Sequence, residues 1–390
     1  MPLSAPPLSL YVHIPWCVKK CPYCDFNSHA REGALPVDEY VRALLADLDR
    51  DLAAFERALA GRTLGSVFFG GGTPSLFEPG AIARILDGVA ARIAMAGDAE
   101  VTLETNPGTV EHGRFDGYLA AGVNRISFGI QSFDDDKLRR LGRIHSAAEA
   151  ERAVKSAQDA GYRNINLDLM YALPEQSPAG ALADVERALA LDPAHVSHYQ
   201  LTLEPNTLFA VKPPALPDED SAWDMQETCQ LRLADAGYEQ YEVSAYARDR
   251  LRSRHNLNYW RFGDYLGIGA GAHGKLSDPV DARIVRTTKY KVPRGYLEHA
   301  AGGDGFGSTH AVARADLPFE FMMNALRLND GVYVALFTER TGLGAGEIEA
   351  PLRDARARGW LEPEPARIVP TALGRRFLND VMAEFLPEKG

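Results

Sequence analysis

The sequence predicts an α/β protein: a partial (βα) barrel of the TIM type, extended and then joined by an α-helical, winged-helix-like C-terminal domain. Three observations carry this. From Ser9 onward short β-rich runs alternate with longer helical ones, and repeated βα units call for a parallel sheet with right-handed crossovers. Polar, Gly or Pro residues sit at the C-terminal end of nearly every expected strand, at His13, Gly70 to Thr73, Glu104, Gln131, Asp168 and Glu204. A barrel gathers such ends into one mouth, whereas an open doubly wound sheet spreads them along a line. After about residue 215 the rhythm breaks, and from Ala313 the chain is mainly helical. These changes divide the chain into a barrel core over 1–210, an α/β extension over 211–312 and a C-terminal domain over 313–390.

Taken in order, "LSLYVHI" is the first strand, and "VDEYVRALLADLDRDLAAFERALAG" carries apolar residues at helical spacing and stops at Gly61. "SVFFGGG" leads to the helix "PGAIARILDGVAARIA", and "EVTLET" to a helix around "RFDGYLAAG". "NRISFGIQ" precedes helices that start after Asp134 and Ser146, and "NINLDLMYALP" precedes one that starts after Ser177. "HVSHYQLTLEP" ends the series. "PPALPDEDSAWDMQ" is a Pro-rich turn into a helix, and the aromatic, Gly-rich stretch from Tyr238 to Gly274 follows it. From Gly346 the pattern reads helix, short β-wing, helix. The acidic balance and the lack of a basic recognition helix argue against a DNA reader and leave this end a packing or lid role.

The chain has 390 residues, 46% hydrophobic and 24% charged, enough to bury a large core. Its net charge of -11, with no run of Lys or Arg, argues against a nucleic-acid partner. "MPLSAPPLSLYVHIP" lacks the basic and apolar regions of a signal peptide, and no segment reaches eighteen uninterrupted apolar residues. The expectation is a cytoplasmic, soluble protein that is not integral to a membrane. In a reducing compartment its four cysteines serve metals or redox chemistry more readily than disulfides. Cys229 stands at helical spacing and reads as a small apolar filler.

Cys17, Cys21 and Cys24 follow the first strand as C-x3-C-x2-C. Three thiolates turned toward one centre suit zinc or an iron–sulfur cluster. One reading is a [4Fe–4S] cluster with an open iron; the other is a Cys3His zinc site completed by His13 or His29. "FFGGGTPS" lets backbone approach a ligand closely and offers N–H groups to a carboxylate. Glu104, Gln131, Arg143 and Asp168, at successive strand ends, stand where a ribose, an adenine or a second ligand would be held. The alternative for them is an internal network of Glu104, Arg143 and Asp168.

The C-x3-C-x2-C spacing after a first barrel strand resembles the radical S-adenosylmethionine superfamily. That resemblance implies the radical SAM kind of partial barrel, with the amino and carboxylate groups of the cofactor chelating the open iron. With "LYVHIPWCVKKCPYCDFN", "FFGGGTPS", "ETNPG", "RISFGIQSF", "LGRIH" and "NLDLMYALP" together, the chain resembles the oxygen-independent coproporphyrinogen III oxidase family over most of its length. By that resemblance Tyr11, Gly71, Glu104 and the three cysteines belong to the cluster and the first S-adenosylmethionine. Tyr23, Gly72, Thr73, Gln131, Arg143 and Asp168 match positions that reach a second S-adenosylmethionine or the same neighbourhood.

Two departures matter. Phe26 stands where the oxidases carry a further cysteine, and Tyr11 already lies in the first strand, without their longer N-terminal extension. Both are those of the HemW branch, regarded as heme chaperones, and "HNLNYW", His255 to Trp260, is similar to that branch's HNxxYW motif. The resemblance implies heme ligated by His255, flat apolar surface from Tyr259 and Trp260, and propionates paired with Arg252, Arg254 and Arg261. The alternative is that His255 and Asn256 cap a turn while Tyr259 and Trp260 are core. The implied partners are heme, S-adenosylmethionine and a heme-acceptor protein, with transient contact to membrane-bound acceptors. A coproporphyrinogen oxidase and a non-catalytic scaffold are the competing functions. Gly269, Ala270 and Ala272, in a Gly-rich run, are expected near the adenosine.

Overall fold

A computed structural model describes residues 3–109, 114–302 and 307–387. Its centre is β1 (Leu8–Ile14), a strand whose Leu8, Leu10, Val12 and Ile14 alternate with Ser9, Tyr11 and His13. The same alternation recurs in β2 (Thr63–Gly71), β3 (Ala94–Thr105), β4 (Arg125–Gln131), β5 (Ile165–Tyr171) and β6 (His195–Gln200). After a hairpin of β7 (Glu239–Glu242) and β8 (Ala245–Ala247) come β9 (Asp264–Ile268), β10 (His273–Asp278), β11 (Arg283–Lys289) and β12 (Gly307–Ala311). All twelve join one sheet in the order β12-β11-β10-β9-β1-β2-β3-β4-β5-β6-β8-β7. The strands from β9 to β6 in that order run parallel, and both flanks are antiparallel. Among the described residues β12 and β7 do not pair, so the barrel is partial.

The period of two decides what the barrel is for. Leu10, Val12, Val67, Phe69, Val101, Leu103, Ile126, Phe128, Leu167, Leu169 and Val196 point outward into the main core beneath the helices. The other face is polar: in register, Tyr11 stands opposite Phe68, Glu104 opposite Ser127, Ser127 opposite Asn166, Asn166 opposite His195, and Asp168 opposite Ser197. A polar interior cannot be a packed hydrocarbon core, so this barrel keeps room for ligands.

The crossover helices are α1 (Val37–Ala54), α2 (Pro79–Ala90), α3 (Arg114–Ala120), α4 (Ala147–Asp159) and α5 (Pro178–Ala190). Their starts follow the expected caps. Ser146 and Glu149 form a reciprocal capping box on α4, and Ser177 accepts from Gly180 N on α5. α6 (Glu219–Asp235) buries Cys229 as filler, and α7 (Arg254–Trp260) carries the "HNLNYW" segment. The expected helix over 37–61 breaks at Phe55, where φ is -119° and ψ is 25°, and resumes over Glu56–Leu59. The second expected helix ends at Ala90, because Ala94 and Met95 are claimed by pairing with Thr63 and Leu64.

The C-terminal region has its own core, in which Phe321, Met322, Phe337, Ile348, Leu352 and Val381 pack together. Its helices include Leu317–Ala325, Val334–Thr341 and Gly346–Ala357, and Val332–Tyr333 pairs with Arg367–Ile368 as the wing. Phe262 and Ile284 belong to the same cluster and bind this region to the β9–β11 flank.

Candidate functional site

At the C-terminal end of β1 the chain turns into the cysteine loop. Trp16–Cys17 pairs with His29–Ala30, which pinches the loop at its base, and Cys24 N donates to Cys21 O at 3.2 Å. All three thiols are free, half-buried and exposed to one cavity of about 370 Å³. Arg143 Nη1 donates to Cys21 Sγ at 3.8 Å, and Cys24 Sγ lies 3.8 Å from Ser28 Oγ. Burial raises the Cys17 and Cys24 thiols above their ordinary value.

The histidines are already committed. His13 Nδ1 meets Tyr11 OH and its Nε2 meets Asn27 O, both at 2.9 Å, while His29 Nε2 faces Asn27 Oδ1 at 3.3 Å. The zinc alternative therefore finds neither His13 nor His29 free to complete the set. Three soft donors without a fourth fit a [4Fe–4S] cluster with one open iron.

The glycine loop is lashed to this segment. Gly72 N donates to Ile14 O at 2.8 Å and Thr73 N to Trp16 O at 2.7 Å, while Gly71 N donates to Glu104 Oε2 at 3.3 Å. The expectation that these N–H groups wait for a ligand carboxylate is thus corrected: all three are spent on the protein. What the glycines supply is closeness. Gly71 has φ +112°, and a Cβ on it would stand 2.5 Å from the His13 ring; one on Gly72 would stand 2.5 Å from Trp16 O.

Across the cavity, burial and the neighbouring Asp168 push the Glu104 carboxyl up to about 8. Asp168 accepts from Asn166 Nδ2 at 2.8 Å and Ser127 Oγ at 3.2 Å, and burial raises its pKa as well. It lies within β5 on the inward face, not at the strand end. Arg143 Nη2 also donates to Gly129 O, and Gln131 holds φ 73° at the end of β4. Among the described residues the salt-bridge network of Glu104, Arg143 and Asp168 does not form, since Arg143 turns to sulfur and carbonyl. Tyr23, Gly71, Gly72, Thr73, Glu104, Gln131, Arg143 and Asp168 line this first cavity with the cysteines. Tyr199 and Glu204 line it too. Tyr199 was missed, although the alternation in "HVSHYQ" puts it on the inward face with His195 and Ser197.

Tyr11 lines a second cavity, of about 570 Å³, on the other flank of the cysteine loop. Gly271, not Gly269, Ala270 or Ala272, faces it. Ala270 and Ala272 are buried, and the Ala270 carbonyl accepts from Asn27 Nδ2 at 2.9 Å.

The expected open ligand His255 is placed differently. Its side chain is 2% exposed and lines neither cavity. Nδ1 lies 3.0 Å from Ser66 Oγ, Nε2 is enclosed without a hydrogen-bond partner, and the ring stacks on Phe68 at 4.9 Å. Burial lowers its pKa to about 3. The reason is α7, which closes the N-terminal end of the barrel, away from the mouth: Glu100 accepts from the N–H groups of Arg254 and His255, each at 3.1 Å, and Asn258 reaches Ser9 Oγ at 3.0 Å. Trp260 packs toward the C-terminal core. Of the expected propionate partners, Arg252 is paired with Glu239 and Asp330, and Arg254 with Asp98. Tyr259 is the residue of the motif that reaches a cavity.

A parallel partial barrel with three thiols and a glycine loop at its mouth defines a radical S-adenosylmethionine protein, and residues 11–188 match the Radical SAM superfamily. Membership implies a [4Fe–4S] cluster and S-adenosylmethionine. Residues 312–377 match the HemN C-terminal domain. The chain is 52% identical over 386 residues to the heme chaperone HemW of Escherichia coli, covering 99% of this chain and 100% of that protein. It is 50% identical over 384 residues to HemW of Haemophilus influenzae, covering 98% and 99%. Coproporphyrinogen III oxidase (HemN) from Escherichia coli shares the fold, with TM-score 0.81, 24% identity and coverage of 98% of this chain and 90% of that one. The chain belongs to the HemW family of radical SAM proteins. Among the described residues no helix is long and apolar enough to cross a membrane.

Proposed function

We propose that this protein is a heme chaperone that carries a [4Fe–4S] cluster on Cys17, Cys21 and Cys24, binds S-adenosylmethionine beside them at the barrel mouth, where Tyr11, Gly71 and Glu104 stand, and passes heme to an acceptor protein. The observation that carries the reading is the match over 99% of the chain, at 52% identity, to a protein named a heme chaperone. Phe26 accords with it: where the oxidases carry a further cysteine, this side chain is 60% exposed at the rim of both cavities.

When bound, the cluster and S-adenosylmethionine supply one-electron chemistry at the barrel mouth. The protein's own part is to hold and orient. Gly71 and Gly72 let the glycine loop close against the His13 ring and Trp16 O beneath the cysteines, and Arg143 Nη1 donates to Cys21 Sγ from the cavity side. Glu104, kept protonated at pH 7 by burial and by the neighbouring Asp168, gives up its proton when a cationic ligand enters beside the pair.

The test is anaerobic reconstitution followed by three measurements. Wild type is expected to take up about four irons per chain and to bind heme, and Cys21→Ala to lose the cluster. A Cys21→Ala protein that kept the full cluster contradicts the ligand set. With coproporphyrinogen III and a reductant, no vinyl product is expected; vinyl formation would make the protein an oxidase instead.

A further inference from the structure

Beneath the layer that lines the first cavity, the barrel interior holds a cation without a partner. On β4, Ser127, Gly129 and Gln131 line that cavity, and Arg125, on the same inward face two residues before Ser127, stands one step deeper. On β3, Glu104 lines it, and Thr102 stands one step deeper, directly opposite Arg125 in register. Arg125 borders neither cavity at the mouth and is 2% exposed. Among the described residues no carboxylate lies at ion-pair distance from it and no acceptor meets its guanidinium, whose Nε is fully enclosed. The Thr102 hydroxyl beside it is enclosed as well and has no hydrogen-bond partner.

A guanidinium stays ionised across the whole working pH range and carries five donors in one plane. A buried charge needs a counter-charge or a full set of hydrogen bonds, because it has lost its hydration. The acceptors at this depth are engaged elsewhere. Glu100 takes the N–H groups of Arg254 and His255, and Asp168 takes Asn166 Nδ2 and Ser127 Oγ. Asn166 Oδ1 meets His195 Nδ1 and Ser197 Oγ, while Tyr241 OH meets His195 Nε2 and Ser253 N. The charge is felt around it all the same: burial first, and Arg125 second, hold His195 and His255 below the ordinary imidazole value. His255 Nε2 is also unpartnered, but Ser66 Oγ gives its proton to Ser9 Oγ, so His255 Nδ1 donates to Ser66 and Nε2 is left an acceptor, unsuited to a negative ligand.

We infer that the inner end of the barrel binds one small monovalent anion of chloride size, held by the Arg125 guanidinium and the Thr102 hydroxyl. Such an ion supplies charge-assisted hydrogen bonds to donors that the protein leaves open; a water molecule would satisfy an N–H group but leave the cation unpaired. Its single charge follows from Glu100, Glu104 and Asp168 nearby, which would repel a second one. Its small size follows from the enclosure of both Arg125 Nε and Thr102 Oγ1. The inference goes beyond the chaperone reading and stands whether or not heme binds, since the site lies one layer below the residues given to S-adenosylmethionine.

The experiment uses the cluster-loaded full chain in gluconate, an anion too bulky for the inner end, replaced stepwise by chloride at constant ionic strength. The thermal midpoint of wild type is expected to rise along a saturating curve by about 2 °C. Arg125→Met, similar in length and uncharged, should show no rise, and Thr102→Val should need severalfold more chloride to reach half its rise. Wild-type crystals soaked in bromide should give an anomalous peak beside Arg125 and Thr102, which decides the matter even if Arg125→Met does not fold. A wild-type midpoint indifferent to chloride, a chloride-dependent rise that survives in Arg125→Met, or a bromide map with only water on the guanidinium overturns the assignment. None of these results bears on the cluster or on heme, so the chaperone reading is tested separately.

Discussion

At the scale of single residues, the site depends on side chains that are missing. Gly71 sits at φ +112° with the His13 ring where a Cβ would go, and His13 is fixed on both nitrogens, so it cannot retreat. Gly71→Ala is expected to cost about 1–3 kcal/mol of stability and to push the first turn of the cysteine loop outward. Urea unfolding and equilibrium dialysis of S-adenosylmethionine check the two effects, and a variant with wild-type values in both would show the loop to be pliable. Glycines and cysteines were legible in the sequence because their chemistry is local: C-x3-C-x2-C and a Gly run after a strand specify a loop whatever surrounds them. His255 was not. Its residue type fits an iron ligand, but its burial follows from Ser9, Ser66 and Glu100, three residues on three strands that no spacing connects. The orientation of Arg143 was hidden for the same reason: a guanidinium near two carboxyl groups reads as their partner until the fold presents Cys21 Sγ and Gly129 O instead.

At the scale of elements, α7 shows how a short helix is made to hold. With only seven residues it has little intrinsic stability, so its start is doubly secured. Ser253 accepts from Asn256 N, and the Glu100 carboxylate takes the N–H groups of Arg254 and His255 at the positive end of the helix. Glu100→Ala leaves both donors without that acceptor and is expected to destabilise the protein by about 2 kcal/mol, with Glu100→Gln, which keeps one acceptor oxygen, losing roughly half as much. Denaturant midpoints at pH 7 read the difference; equal midpoints for wild type and Glu100→Ala would mean that α7 is held by Asn258 and packing alone. Helix starts were readable because Asp134, Ser146 and Ser177 announce them, and strand identity because apolar and polar residues alternate. The placement of β9 beside β1 was not. Leu8 pairs with Asp264 across most of the chain, and nothing local in either strand records that register.

At the scale of the whole molecule, the polar barrel interior makes stability depend on pH in a way that one residue dominates above neutrality. His145 and His198 are pushed down to about 4 and His255 to about 3, chiefly by burial. The folded state keeps them neutral while the unfolded chain protonates near 6.5, so they withdraw stability only as pH falls below that value. Asp51 and Asp184 are raised to about 6, and bind protons more tightly in the folded state over the interval from 3.8 to about 6. Both sets oppose each other in acid and are nearly spent by pH 6.5. Glu104 is different: with a folded value of about 8 against 4.5 unfolded, it remains protonated in the barrel where the unfolded chain has long ionised. Its contribution is therefore full near pH 4.5 and is lost as pH rises to 8, with a slope of one proton. Between pH 6.5 and 8 the protein without S-adenosylmethionine should lose about 2 kcal/mol by this route, and Glu104→Gln, which cannot ionise, should show no such loss, only the slight rise near pH 8 that buried Lys275, lowered to about 8, contributes as it gives up its proton in the folded state. Urea unfolding of both proteins at half-unit steps measures the slopes directly. Parallel curves would mean that Glu104 is ionised at neutral pH, with a cation or water in the cavity paying for its charge, and that ligand entry releases no proton from it.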